Sequence, residues 1–239
     1  MIACDEVEKY IDSPVNASTV VAGDSTLFRV SNDMLTDANE QPENVAMLND
    51  YYGTTWWFSI INSDVQSYAN MSAQETLKWR SWGFDNNLMY EAFAGVKYYF
   101  CSNPENVKEE YKWVEQVTFN GESWDVYENP YYFGMAYIRD ADTASAIFDE
   151  AAGYEEYYEK LYDLYIDGQE QVEVTYSESK NMFTCTVDTG DGDEVVLSIP
   201  YHRNWKAYVD GEEVEVCRTD MMCISISPGG GGAYHSAPI

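Results

Sequence analysis

The chain has 239 residues, 45% of them apolar, and it is rich in aromatic side chains, with 21 Tyr and 7 Trp. This length and composition allow one large core or two smaller ones and exclude an intrinsically disordered protein. The 42 acidic and 13 basic residues give a formal net charge of -29. Such a charge repels phosphate backbones and anionic headgroups, so we expect no nucleic-acid partner and no charge-driven membrane attachment.

Neither a transmembrane helix nor a signal peptide is predicted from the residues. The sequence contains no apolar run of about 18 residues, the length that a spanning helix needs. Residues 1–10 lack the basic start and the apolar block of a secretory signal. Taken alone, the residues therefore indicate a soluble cytoplasmic protein.

The first two thirds of the chain mix helical and strand patterns. We interpret residues 1–25 as a short polar leader and residues 26–167 as a mixed α+β domain. Gly153 is expected to divide the longest helical pattern into two pieces. The predicted helices are Ser63–Asn70, Ser72–Trp82, Leu88–Ala94 and Thr143–Ile166. The predicted strands are Leu27–Val30, residues 51–61, Val96–Cys101, Tyr111–Phe119, Glu122–Glu128 and Gly134–Arg139. Asn120-Gly121 predicts a tight hairpin turn between Tyr111–Phe119 and Glu122–Glu128.

From residue 168 onward the pattern consists of strands and turns. Asp210-Gly211 stands between two alternating segments, which is the sequence signal of a hairpin with a two-residue turn. Closely spaced strands predict an antiparallel β-sandwich over residues 168–228, followed by a flexible glycine-rich tail at 229–239. The predicted fold class is therefore α+β, a mixed α/β N-terminal domain followed by a β-sandwich.

Four blocks of the chain resemble, in the same order, the bacterial membrane protein YfhO family. The resemblance covers roughly residues 26–228, and Asn204 stands where the family commonly has Gly. The glycine-rich end after Pro228 resembles neither the last strand expected for the family nor a membrane anchor. The four blocks are Leu27–Val30, Gly95–Phe100, Val126–Tyr137 and Ile199–Gly211.

The resemblance implies that the chain is the soluble, extracytoplasmic part of a multi-spanning bacterial membrane protein. Such a protein resembles glycosyltransferases that take sugar from a polyprenyl-phosphate donor and add it to cell-envelope polymers. Catalytic residues would then lie in loops of the membrane region, so we predict no catalytic, cofactor-binding or metal-binding residue here. The expected partners are the transmembrane region of the same protein and a cell-envelope glycan. The chain would hold this acceptor or cover the active site.

A free-standing extracellular carbohydrate-binding or adhesion module, without an enzymatic parent, is the alternative. Either function needs a surface that recognises sugars, and flat aromatic rings stack on the C–H faces of sugar rings. We therefore predict Trp56, Trp57 and Trp205 as ligand-binding residues. Packing of the same rings in a core is the competing interpretation.

Two further features leave alternatives open. Asp188, Asp191 and Asp193 lie in a glycine-containing turn that fits either a Ca²⁺ site or a plain hairpin turn. The cysteines of the C-terminal part, Cys185, Cys217 and Cys223, are interpreted as free thiols, with a disulfide among them as the alternative.

Overall fold

The computed structural model describes residues 12–33, 45–57, 63–71, 80–84, 87–107, 109–166, 171–227 and 232–238. The strands in this part of the chain are β1 (Arg29–Asn32), β2 (Thr55–Trp57), β3 (Arg80–Trp82), β4 (Val96–Cys101), β5 (Lys112–Phe119), β6 (Glu122–Glu128), β7 (Ala136–Asp140), β8 (Val174–Ser177), β9 (Met182–Val187), β10 (Asp193–Pro200), β11 (Trp205–Val209), β12 (Glu212–Val214), β13 (Cys217–Arg218), β14 (Cys223–Ile226) and β15 (Gly232–Pro238). The α-helices are α1 (Thr19–Gly23), α2 (Val45–Leu48), α3 (Ser63–Met71), α4 (Leu88–Phe93), α5 (Ala141–Glu150) and α6 (Tyr154–Tyr165). Helices and small, mainly antiparallel sheets confirm the predicted α+β class.

The chain divides into two compact units. The described residues of the first unit are 12–33, 45–57, 80–84, 87–92, 96–107 and 109–132. Those of the second are 63–71, 93–95, 133–166, 171–227 and 232–238. The domain bounds that we predict from the sequence stay a prediction, and the predicted boundary at 167–168 falls within the second unit.

The first unit contains a four-stranded sheet in the order β1-β4-β6-β5, and β2 pairs with β3. The strands β1 and β4 are parallel, whereas the other pairs are antiparallel. Apolar side chains on one face of the sheet form a buried core, to which Val15 of the N-terminal segment also belongs. Residues 14–23, predicted as part of a leader, therefore contribute to this core. Its buried members are Val15, Val30, Tyr98, Phe100, Val117, Trp124 and Val126.

The second unit contains two sheets and the helices α3, α5 and α6. The sheet orders are β13-β14-β10-β7 and β12-β11-β15-β9-β8. The helices α5 and α6 are separated at Gly153, as predicted, and α6 buries one aromatic face. Phe93 lies 5.0 Å from the ring of Phe133 and 5.7 Å from that of Tyr158, centroid to centroid. These rings form an aromatic core beside Tyr157 and Leu161, which are fully buried.

Both predicted tight hairpins are present. Asn120-Gly121 joins β5 to β6, and Asp210-Gly211 joins β11 to β12. All four residues have positive φ, between 52° and 90°, which is the backbone conformation that a type I′ turn requires. Local turn chemistry therefore sets the register of both hairpins next to their turns.

Two predictions were wrong. Residues 80–82 lie at the end of a predicted helix, yet they form β3, which pairs with β2 through residues 55–57. Cross-strand pairing with a distant segment outweighs the local helical pattern here.

Residues 232–238 lie in the predicted flexible tail, yet they form β15 between β11 and β9. Backbone hydrogen bonds to strands on both sides explain why a segment without a clear strand pattern is ordered.

A carboxylate fixes the start of α1. Glu115 accepts hydrogen bonds from Ser18 Oγ (2.7 Å), Thr19 N (3.1 Å) and Val20 N (3.2 Å). Burial alone would raise the pKa of Glu115, but the hydrogen bonds from Thr19, Ser18 and Val20 lower it from 4.5 to about 2. The ionised carboxylate is therefore the form that stabilises the folded state.

We expect the free energy of unfolding to fall as the pH is lowered from about 4.5 to about 2, because the unfolded chain binds the Glu115 proton first. This contribution is fully present above pH 4.5, and we expect about 1–2 kcal/mol after solvent screening. Urea unfolding of wild type and Glu115→Gln at pH 7 and pH 3 measures it. The variant should be less stable at pH 7 and lose less on acidification. Exposed Glu122→Gln is the control, and an equal acid response in Glu115→Gln and wild type would contradict the assignment.

Candidate functional site

A β-bulge in the hairpin β5-β6 decides where Trp113 lies. Val117 pairs with Trp124, and both side chains are buried on the core face of the sheet. Regular alternation along β5 would place Trp113 on that same face, four residues before Val117. The pairing register shifts between Trp113 and Glu115, however, so that Trp113 stands opposite Tyr127. The extra residue therefore turns Trp113 to the other face of the sheet.

Trp113 is 58% exposed, and its ring is held in place. The indole Nε1–H donates to Asp125 Oδ1 at 3.0 Å, and Gln116 Nε2 donates to the same oxygen at 3.0 Å. A tryptophan whose only polar group is already bonded presents a flat apolar face in a fixed orientation. We call Trp113, Gln116 and Asp125 the Trp113 platform.

The chemistry of the Trp113 platform suits a sugar ring. The indole face can stack on C–H groups, while the Gln116 amide and the Asp125 carboxylate can bond to hydroxyl groups. Burial raises the pKa of Tyr127, and the negative charge on Asp125 raises it further, so this phenol stays protonated beside the platform. Because β5 is the last strand in the sheet order, the platform lies at a sheet edge within the first unit.

Comparison with known proteins identifies the family. Residues 5–157 match the family model described as bacterial membrane protein YfhO. The chain belongs to the YfhO family. The match includes the whole Trp113 platform, and it contains three of the four blocks on which the resemblance rests, while Ile199–Gly211 lies beyond its end. No curated protein and no solved structure matches this YfhO chain.

The assignment to a membrane-protein family raises the question of a membrane span. No helix among the residues that the structure describes is both long enough and apolar enough to cross a bilayer.

The structure places the predicted ligand-binding residues of this YfhO chain in different units. Trp56 and Trp57 are on β2 in the first unit, and their side chains lie outside the described part of the structure. Trp205 is on β11 in the second unit, where it is partly buried and donates its Nε1–H to Pro200 O at 3.3 Å. Its ring lies 6.0 Å from that of Phe183. Ligand binding by these three residues stays a prediction.

The sequence interpretation missed Trp113 among the candidate residues. Counting outward from the Asn120-Gly121 turn predicts that Gln116 faces Asp125, as observed. The same counting places Trp113 on the core face, because a bulge leaves no clear mark in a sequence. The one available signal was a tryptophan in a strand of a predicted hairpin.

The carboxylates of the turn at residues 188–194 do not form a cluster that could bind a cation. Asp193 Oδ2 accepts a hydrogen bond from Gly190 N at 2.6 Å, and Glu194 forms an ion pair with Arg139. Asp188 and Asp191 are exposed. Among the residues with a described structure, no group of three or more His, Cys, Asp or Glu side chains is arranged to hold a metal ion.

The cysteines of the second unit are free thiols. Cys185 is buried on β9, in the five-stranded sheet, whereas Cys217 and Cys223 belong to the four-stranded sheet. Burial raises the pKa of Cys185 to about 11. For Cys217, burial and the charges of Glu215 and Glu194 raise the pKa above its ordinary value. Both thiols are therefore poorly reactive at neutral pH.

Proposed function

We propose that this chain is the extracytoplasmic portion of a YfhO membrane protein and that it holds the acceptor glycan for the membrane region. The parent protein would be a polyprenyl-phosphate-sugar-dependent glycosyltransferase that acts on cell-envelope polymers. Support comes from the family match and from the Trp113 platform, which lies inside the matched residues. In this proposal the chain binds the acceptor and carries out no chemistry itself.

The observation that carries the proposal is the exposure of Trp113. Burial of a large apolar side chain stabilises a protein by roughly 1.5–3 kcal/mol. Because the Trp113 ring is 58% exposed, the protein does not gain much of this stabilisation. The bulge and the hydrogen bond to Asp125 nevertheless keep the ring exposed on the face opposite to Val117 and Trp124. Exposed aromatic rings with fixed polar neighbours are typical of binding sites rather than of cores.

The negative net charge of the chain disfavours anionic ligands. With a net charge of -29, the chain repels polyanions at long range. We infer that the Trp113 platform contacts neutral sugar units of an acceptor and not its phosphate groups.

Replacement of Trp113 by Ala should weaken saccharide binding about tenfold, because the stacking surface is lost. Titration calorimetry with a panel of neutral di- and trisaccharides measures the affinity. Tyr154→Ala removes a partly exposed ring from α6 and should leave the affinity unchanged. Equal saccharide affinity in Trp113→Ala and wild type would refute a role for the platform, as would a panel in which no saccharide binds.

The free-standing adhesion module is the second candidate function. The family match favours attachment to a membrane region, because the family is described as a membrane protein. The gene sequence upstream of Met1 distinguishes the two candidates. Several hydrophobic spans would support the first function, and a signal peptide followed directly by Met1 would support the second.

A further inference from the structure

The first unit contains a pocket of about 410 Å³ on the side of the N-terminal helical segment. Pockets that bind small ligands have volumes of roughly 300–1,000 Å³, so this one is large enough for a small organic molecule. Aliphatic side chains form one part of its wall, and aromatic rings, amides and carboxylates form the rest. The lining residues are Val15, Asn16, Val21, Ala22, Asp24, Thr26, Leu27, Phe28, Asn49, Asp50, Tyr51 and Tyr52.

The polar lining is suited to a cation. Asp24 and Asp50 line the pocket together with the rings of Phe28, Tyr51 and Tyr52, and no Lys or Arg is among the lining residues. The face of an aromatic ring attracts cations, and a carboxylate supplies the opposite charge. The negative charge of the whole chain adds a long-range attraction for cations.

One corner of this pocket already stabilises an ammonium group of the chain itself. Lys97 Nζ lies 2.5 Å from Asp24 Oδ2 and 3.2 Å from Thr26 Oγ1. The same nitrogen is 5.8 Å from the ring centroid of Phe28 and 5.6 Å from those of Tyr98 and Tyr132. A carboxylate and aromatic rings therefore hold an organic ammonium at this position.

Asp50 and Tyr52 bring the same two kinds of group, a carboxylate and an aromatic ring, to the lining of the pocket. Asp50 is exposed and has φ 56°, a left-handed backbone conformation that is uncommon for residues other than glycine. Tyr52, two residues later, is 45% exposed. Both residues line the pocket, so a carboxylate and a partly exposed aromatic ring form part of its wall.

We propose that the pocket binds a small organic ammonium ion, with its charge between Asp50 and the Tyr52 ring and its alkyl groups against the aliphatic wall. This site is separate from the Trp113 platform and does not depend on the proposed function. Choline is a suitable probe, and 3,3-dimethyl-1-butanol is its neutral isostere. We expect choline to bind at least about fivefold more tightly than the isostere, since only the cation gains from the carboxylate and the ring.

Matched variants of the full chain test each group in turn. Tyr52→Leu should weaken choline binding about fivefold, whereas Tyr52→Phe, which keeps the ring, should retain it. Asp50→Asn should also weaken binding. Asp142→Asn on α5 makes the same change of net charge at an exposed position in the second unit and should leave the affinity unchanged. Trp113→Ala should bind choline like wild type, which separates this site from the saccharide site.

The readout is the dissociation constant from NMR titration, with thermal unfolding to confirm that each variant is folded. Binding that falls as salt is added, together with the stated order of the variants, would support the proposal. Equal affinities for choline and its isostere, or no binding of either, would overturn it. An equal loss in Asp142→Asn and Asp50→Asn would also overturn it, because the attraction would then come from the net charge alone.

Discussion

Replacement of Arg139 by Met is expected to lower the free energy of unfolding by about 3–5 kcal/mol, the usual cost of breaking a buried ion pair. The Arg139 side chain is 5% exposed, and its guanidinium bonds to three groups. Nε donates to Glu194 Oε1 at 2.5 Å, Nη2 to Asp220 Oδ1 at 2.9 Å, and Nη1 to the Tyr157 hydroxyl at 3.2 Å.

The expected loss of stability in Arg139→Met is large because the ion pair between Arg139 and Glu194 is buried. Burial alone would lower the pKa of Arg139, but the carboxylates of Asp220 and Glu194 raise it above its ordinary value, so the guanidinium stays charged. Without Arg139, the carboxylate of Glu194, with a side chain only 8% exposed, would remain in the interior without its ion-pair partner. An unpaired buried charge is costly because the protein interior solvates it poorly.

Urea denaturation measures the change in the free energy of unfolding. The double variant Arg139→Met with Glu194→Gln should recover part of the loss, because the unpaired charge is removed as well. Arg203→Met at an exposed position of the second unit should change stability by less than about 0.5 kcal/mol. A loss below about 1 kcal/mol in Arg139→Met would contradict the importance of this ion pair.

Replacement of Asp33 by Ala is expected to cost about 2–4 kcal/mol, because a buried carboxylate that accepts several hydrogen bonds is lost. Asp33 directly follows β1, and its carboxylate accepts hydrogen bonds from Cys101 at the end of β4 and from residues that follow this strand. The donors are Ser102 N (2.9 Å), Asn103 N (3.0 Å), Ser102 Oγ (3.2 Å), Cys101 Sγ (3.3 Å) and Asn106 Nδ2 (3.3 Å).

These bonds join the ends of two parallel strands. Asp33 N also donates to Phe100 O at 3.1 Å, which continues the pairing of β1 with β4. Loss of the carboxylate should therefore weaken β1 as well as the turn after β4. Hydrogen exchange at the amides of Ser102 and Asn103 should become faster, and the urea midpoint should fall. Asp149→Ala on the exposed surface of α5 is the control. Unchanged exchange at both amides in Asp33→Ala would contradict this role.

The parts of the fold that could be predicted from the sequence are those that local chemistry determines. The turns at Asn120-Gly121 and Asp210-Gly211 need positive φ, which Asn, Asp and Gly tolerate. Gly153 ends the helical pattern between α5 and α6 because glycine is a poor helix former. Each of these signals lies within a few residues of the feature that it predicts.

The parts that could not be predicted depend on distant partners. Residues 80–82 become a strand because β2 lies beside them, and residues 232–238 because β9 and β11 do. Asp33 is linked to a turn almost seventy residues away, at Ser102. Long-range pairing of this kind leaves little trace in a single sequence.

In the candidate site, too, one part could be predicted from the sequence and another part could not. The hairpin that carries Trp113 was predicted with its turn at Asn120-Gly121. The exposure of Trp113 was not, because one bulged residue reverses the side of the sheet to which it points. A shift of one residue thus separates a tryptophan on the face of Val117 and Trp124 from an exposed tryptophan on the other face.

The most direct test of the account is the NMR signal of the Trp113 indole N–H during titration with the neutral saccharides. Assignment is made by comparison with Trp113→Phe. We expect this resonance to shift in proportion to saccharide bound, while that of Trp124, which is buried in the core, stays in place. Saccharide binding that leaves the Trp113 resonance unmoved would contradict the central claim that the Trp113 platform holds the acceptor.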